Sequence, residues 1–461
     1  MKPHLVLRTV TLVAAAVLAG CAGHPVSSPT TPAAPAAWRH AAGTAALQAD
    51  WWQGFGDATL AQLVREAQAH NQDLRQAAAR VAEAHSLAAA QRAAFWPSLD
   101  AGVGAERSRS ISDVTLKPYL STGHQELFQA AYEVDLWGRI DALARAADHG
   151  EEASRAARDA VALSVSASVA QAYIGLLELD AQRNLAQQLQ ASRDRTVELM
   201  RRRREQGYAS GLELAQAEAE QHASAQTLPL LARALERQEA QLNLLLGRPP
   251  GPVARGGDLA TLRPCLLPDA GLPSELLRRR PDVYSVERQL AANDAQLAAA
   301  RTQWLPSLRL SASLGQVGAS VLRGDPFTIW SLGGSVLAPI FNGGRLQALA
   351  KASEARRDQA LAAYERTVLA AWAEVEVQLN SHEQQQVQLR EAQGQRQAVA
   401  EALRIAGRRY GEGYASALEE RLAERNLFAA EQGVVSLQSG LLQTQVALFR
   451  ALGGGWSGVS P

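Results

Sequence analysis

Neither sign of charge prevails in this 461-residue chain, where 46 Lys+Arg meet 46 Asp+Glu. Nucleic-acid binders neutralise phosphate with an excess of Lys and Arg, so a general role of that kind is excluded. Aromatic residues amount to only 5%. With Ala, Gln, Leu and Arg abundant, that scarcity favours long helices over one large core. Long apolar runs are missing too. Leu12 to Ala19 is apolar but far too short to span a bilayer as a helix. Catalytic signatures are equally scarce. The nine His are scattered without an H-E-x-x-H, there is no phosphate-binding Walker loop, and zinc-type Cys spacing is absent. An enzyme has no site here, and no cofactor is expected.

The short apolar stretch follows Lys2 and Arg8 and ends in Leu18-Ala19-Gly20-Cys21. It resembles a bacterial lipobox, in which cleavage precedes a Cys that is then acylated. Residues 1–20 are therefore expected to be a lipoprotein signal peptide, with Cys21 the lipidated residue. Ala22 stands where an inner-membrane-retained lipoprotein usually has Asp, which points to the outer membrane. Removal of residues 1–20 leaves 44 Lys+Arg against 46 Asp+Glu, a charge near −2. With Cys21 acylated, Cys265 has no disulfide partner and reads as a small apolar residue. Pro25, Pro29, Pro32 and Pro35 make residues 21–49 an extended, semi-rigid linker.

Beyond the linker the chain repeats itself. Asp73 and Asp282 are each followed 24 residues later by a proline, Pro97 and Pro306, at an offset of 209. Gly138-Arg139 matches Gly344-Arg345 at an offset of 206, as do Gly207-Tyr208-Ala209-Ser210 with Gly413-Tyr414-Ala415-Ser416, and Leu246-Gly247 with Leu452-Gly453. Two similar halves lie in tandem, residues 50–250 and 274–453, joined by 251–273 and followed by a tail at 454–461.

Each half predicts one very long helix. No proline interrupts Arg139–Gln206 or Arg345–Glu412, and Leu361, Tyr364, Val368, Ala371 and Val375 recur at helical spacing. Some 68 helical residues extend about 100 Å, so the rods must lie side by side in a coiled-coil-like array. Gly207 and Gly413 are natural helix stops. Ser210-Gly211-Leu212-Glu213 and Ser416-Ala417-Leu418-Glu419 each read as a capping box opening a return helix. The helix pairs are thus predicted at about 139–247 and 345–452.

Between helices, each half carries a hairpin, at about 98–137 and 307–341. Apolar residues alternate in Leu99–Glu106, Phe128–Leu136, Leu308–Leu314 and Trp330–Val336. Such segments are the signature of transmembrane β-strands, and Trp96, Trp137, Trp304 and Phe341 sit where interfacial aromatics belong. Four strands cannot close a barrel, and an open edge is not viable in lipid. The chain must oligomerise; the number of copies is not readable from composition.

Asp50-Trp51-Trp52-Gln53-Gly54-Phe55-Gly56-Asp57, Leu276-Leu277-Arg278-Arg279-Arg280-Pro281-Asp282-Val283 and Pro339-Ile340-Phe341-Asn342-Gly343-Gly344-Arg345 resemble motifs of the TolC-like outer membrane factor family, within it the NodT-type lipoproteins. Leu246-Gly247-Arg248-Pro249-Pro250-Gly251 is similar too, and the match runs from about Asp50 to Gly453. The resemblance implies an α+β membrane protein: four strands per protomer in a trimeric 12-stranded β-barrel, continued by a long periplasmic α-helical barrel. It implies passive export of drugs, solutes or metal ions, with a periplasmic adaptor and an inner-membrane pump, RND type, as partners. A non-conducting scaffold and a protein-secretion exit duct are the other readings.

By the same resemblance, adaptors grip the helical tips. The matching residues are Arg203, Gly207, Tyr208, Ser210 and Leu212 in the first half. In the second they are Arg409, Tyr410, Gly413, Tyr414, Ser416 and Leu418. Arg201–Arg204 is a solvated helix face that can steer an adaptor electrostatically. Glu420 and Glu424 are the gate candidates. Leu422 stands where the family usually has Asp, which puts the usual acidic ring in doubt. Glu213 and Glu419 are expected as cap residues.

Overall fold

Two prolines, Pro273 and Pro281, open helices in the computed structural model, which describes residues 32–40, 42–320 and 326–458. Cys21 and the tail beyond residue 458 lie outside the described residues. The first half runs α1 (Ala58–His70), α2 (Gln72–Arg92), β1 (Ser98–Ile111), β2 (Pro118–Val134), α3 (Arg139–Glu205), α4 (Gly211–Ala225) and α5 (Thr227–Leu245). The second runs α6 (Pro273–Arg279), α7 (Pro281–Thr302), β3 (Ser307–Ala319), β4 (Phe327–Leu337), α8 (Arg345–Gly411) and α9 (Ala417–Ala451).

The rods α3 and α8 are 67 residues each, about 100 Å long. Asp135 accepts hydrogen bonds from the Ile140 and Asp141 backbone N–H groups, and Asn342 accepts from that of Leu346, so orphan donors at both rod starts are satisfied. Both rods end alike. Gly207 and Gly413 adopt φ +79°. Tyr208 N–H reaches Arg203 O at 2.8 Å, and Tyr414 N–H reaches Arg409 O at 2.7 Å, which makes each end a Schellman motif.

The returns differ from expectation in two places. The first return is split into α4 and α5 at Gln226, because Pro229 lacks an N–H for the Ala225 carbonyl. The capping box forms at Ser210, whose side chain and that of Glu213 exchange bonds with each other's backbone. It does not form at Ser416, whose side chain makes no cap bond. Glu419 instead accepts from Arg409 at 2.5 Å across the turn, since a guanidinium offers a charged donor that the neutral cap does not.

The two larger cores are centred on the two halves, the first also taking Leu442, Val446 and Phe449 from α9, and a small third one, Val197, Met200, Leu214 and Ala217, lies toward the tip. The first gathers Phe55, Leu60, Val64, Val169, Tyr173, Ile174 and Leu242. The second gathers Leu276, Val283, Tyr364, Val368, Trp372 and Val375. Trp51 stacks on Phe449 with ring centroids 5.2 Å apart, so the start of the first half packs on the end of the second. One stretch of α3 is long and apolar enough to cross a membrane. Half of that stretch is buried inside the protein, and Val165, Val169, Tyr173, Ile174 and Leu177 of the same helix pack in the first core. Part of the supposed linker is docked as well. Trp38 donates to Gly271 O, Arg39 N–H donates to Glu376, and Ala45 bridges Pro268.

The four strands form one antiparallel sheet in the order β1-β2-β3-β4, so the hairpins of the two halves join through β2 and β3. Directly paired residues share a face. One face carries Leu99, Ala130, Ala312 and Leu332 in one row, and Ala101, Phe128, Leu314 and Trp330 in the next. The opposite face carries Asp100, Gln129, Ser313 and Ser331. Along the apolar face Trp330 is 75% and Leu332 80% exposed, and no described residue covers them. Trp96 and Phe341 are also exposed at the helix-proximal end. Trp137 departs from that girdle: its indole is half-buried and donates to Pro306 O at 2.7 Å.

Candidate functional site

The rods and returns bring the sequence-predicted tip residues to one end of each half. Tyr208 is 82% and Tyr414 77% exposed, and Leu212 and Leu418 are exposed beside them. Ser210 and Ser416 sit at the first positions of the returns. Gly207 and Gly413 turn the chain and face open space. The two tips are tied together. Arg203 donates to the Tyr410 hydroxyl at 2.6 Å and lies over the Tyr410 ring, 5.7 Å from its centroid. Arg409 is turned to Glu419. Of the predicted tip group, Arg203 and Tyr410 therefore hold the halves to each other, and the exposed Tyr and Leu side chains remain free to meet a partner.

Farther up the same end lies a cleft of about 480 Å³ between α3, α8 and α9. Glu420 and Glu424 line it with Ser192, Arg195, Arg404 and Tyr410. Glu424 accepts from Ser192 Oγ at 2.5 Å and pairs with Arg193 at 2.8 Å. Arg193 is buried and also reaches Glu220 at 3.3 Å. Burial pushes the Glu420 carboxyl up from its ordinary value, and the Glu424 charge adds to this against the opposing pull of Arg421. Glu424 thus belongs to an ionic clasp that joins the first half's rod to the second half's return. Sequence reading found Glu424 but not Arg193 or Ser192, since nothing marks one Arg among many on a polar rod as buried.

Glu213 is held below the usual carboxylate range, chiefly by the Ser210 backbone N–H and then by its hydroxyl. Cys265 is half-buried, and burial pushes its thiol up to about 12, so it is no nucleophile at neutral pH. Among the described residues no group of three or more His, Cys, Asp or Glu is placed to hold a metal ion.

The protomer thus joins a two-edged sheet, apolar on one face, to paired 100 Å rods with tied tips. The family model described as "Outer membrane efflux protein" matches residues 63–248 and 272–454. This chain belongs to that family. It is 34% identical over 466 residues to the pyoverdine export outer membrane protein OpmQ of Pseudomonas aeruginosa, covering 98% of this chain and 97% of that one. It is 32% identical over 460 residues to the toluene efflux pump outer membrane protein TtgC of Pseudomonas putida, covering 96% of this chain and 94% of the other. Among solved structures, the outer-membrane channel OprN superposes with a TM-score of 0.87 at 29% identity, over 95% of this chain and 100% of that one. The open Neisseria gonorrhoeae MtrE channel superposes with a TM-score of 0.82 at 29% identity, over 95% and 99%. The fold is that of the TolC-like outer-membrane channels, and this member is the outer-membrane channel component of an efflux system.

Proposed function

We propose that the chain works as a homotrimer, anchored by a lipid on Cys21, that docks a periplasmic adaptor at its helical tips and discharges what an RND-type inner-membrane pump delivers. The observation that carries this reading is the four-stranded sheet, with β1 and β4 unpaired on their outer edges among the described residues and one face carrying an apolar band across all four strands. In lipid such edges must be closed, and three copies give twelve strands. The rods then continue the wall into the periplasm, and their tips face the adaptor. Tyr208, Leu212, Tyr414 and Leu418 supply the exposed apolar contacts there, with Arg203, Gly207, Ser210, Arg409, Tyr410, Gly413 and Ser416 shaping the turns around them. Glu420 and Glu424 belong to the narrow periplasmic end, where Glu424 holds α9 to α3.

Single-channel recording of the purified protein in planar bilayers, with its mass in detergent, tests the assembly. A trimer that conducts is expected; a non-conducting trimer is a scaffold, and a monomer overturns the reading. Mass spectrometry of the mature N-terminus tests the anchor: wild type carries acyl chains on Cys21 and Cys21→Ser carries none.

A further inference from the structure

Above the apolar band, the lipid-facing side of the sheet changes character. The row that begins with Val103 continues as Glu126, Gln316 and Thr328. From Val134 to Glu126 the strand climbs about 26 Å at ~3.3 Å per residue, or roughly 20 Å of height at a tilt near 40°. The exposed Trp96, Ile340 and Phe341 below extend the apolar zone toward the ~25 Å expected of an outer-membrane barrel. The row of Glu126 therefore marks the upper rim of the hydrocarbon.

Two and three rows higher on this same face stand Arg107, paired with Thr122, and Arg109, paired with Leu120. Both are exposed, and neither makes a hydrogen bond or ion pair among the described residues. No carboxylate shares their face above Glu126 on β1, β2 or β3. Its other residues there are Ala105, Ile111, His124, Thr122, Leu120, Pro118 and Gly318, and Glu106 lies on the lumen side. The arginines are two residues apart on one strand, so their Cα atoms are about 7 Å apart and both guanidiniums point outward. At the same tilt the Cα atoms of Arg107 and Arg109 stand roughly 10 and 15 Å above the rim, just outside the ~5–7 Å headgroup layer of an ordinary leaflet, and their long side chains reach back down to its edge.

We propose that Arg107 and Arg109 form a docking site for the phosphate groups of an outer-leaflet lipid. Two unpaired like charges repel each other, and bidentate contacts to phosphate relieve that repulsion. A lipid bearing two phosphates spans both guanidiniums, whereas a zwitterionic headgroup brings its own cation and gains less. The site lies on the outer surface of the wall and leaves the export path untouched.

The test uses the full-length protein in phosphatidylcholine nanodiscs doped with bis-phosphorylated lipid A or with its dephosphorylated form, the bound lipid being counted by native mass spectrometry. Wild type should prefer the phosphorylated lipid by about tenfold, in line with charge-assisted contacts. Arg107→Gln with Arg109→Gln should lose most of that preference, and Arg107→Lys with Arg109→Lys should keep part of it. Should the double Gln variant fail to assemble, Arg109→Gln alone is read the same way. Equal binding of both lipids by wild type, or an undiminished preference in the Gln variants, overturns the proposal. So does competition by millimolar inorganic phosphate, which would make the ligand a free anion. Conductance of the same preparations reports separately on whether the sheet spans the membrane.

Discussion

Arg203 and Tyr410, 207 positions apart in sequence, join the ends of the two rods by a 2.6 Å hydrogen bond with the guanidinium over the ring. A hydrogen bond to a charged donor contributes about 1 kcal/mol at a half-exposed site. Tyr410→Phe removes the hydroxyl and keeps the ring. It should raise single-channel conductance at least about twofold by loosening the tips, and Arg203→Ala should do the same. Unchanged conductance in both would show that the pair holds no closed state.

Gly413 and Gly453 both have positive φ but different surroundings. A Cβ on Gly453 falls 1.9 Å from the Arg279 carbonyl oxygen, whereas one on Gly413 meets nothing within 4 Å. Gly453→Ala should therefore cost about 3 kcal/mol, from strain and overlap together, and Gly413→Ala about 1 kcal/mol, from strain alone. Thermal unfolding of the two variants checks the difference; equal losses would refute it.

Ser416→Lys should block export while leaving the trimer intact. Ser416 is exposed and contributes no side-chain cap, so its replacement removes no bond. Gly413→Pro makes a poorer probe, because φ +79° lies outside proline's range and the turn itself would be lost. Drug accumulation in cells, read beside trimer mass, separates docking from folding.

Arg280 is buried with Asp282, Glu374 and the Ala451 carbonyl around it. Arg280→Ala leaves uncompensated carboxylates and should cost about 3 kcal/mol. Burial by itself raises the Asp282 pKa, but the Arg280 hydrogen bonds and charge outweigh it and hold the carboxyl below its ordinary value. A depressed folded-state pKa contributes stability above the unfolded value, near ~4, and loses it as pH falls through the folded value. Asp282→Asn should thus lower the Tm at pH 7 and flatten its decline below about pH 4. A decline as steep as wild type would exclude Asp282 as a source of acid sensitivity.

Leu332 and Ser331 are neighbours on opposite faces of β4. Leu332→Arg places a charge in the apolar band and should cost about 2–4 kcal/mol, abolishing membrane insertion. Ser331→Arg faces Ser313 across the lumen side, 2.7 Å away in the native pair, and should insert normally with altered ion selectivity. Heat-modifiable migration on gels and bilayer recordings distinguish the two.

The chain by itself determined what depends on near neighbours. Rod length follows from the missing prolines, rod ends from Gly207 and Gly413, and strand faces from alternation at Leu99 and Leu308, because helix and strand periods are properties of a few consecutive residues. Pro229 was equally legible, and reading the first return as one helix overlooked it. Tertiary structure alone decided what depends on partners far away in sequence. The β2–β3 pairing of Phe128 with Leu314, the clasp of Arg193 with Glu424 and the choice of Arg409 by Glu419 over its own cap are such cases. Each carries an energy set by burial and by which charges meet, and neither is defined until the two halves lie side by side.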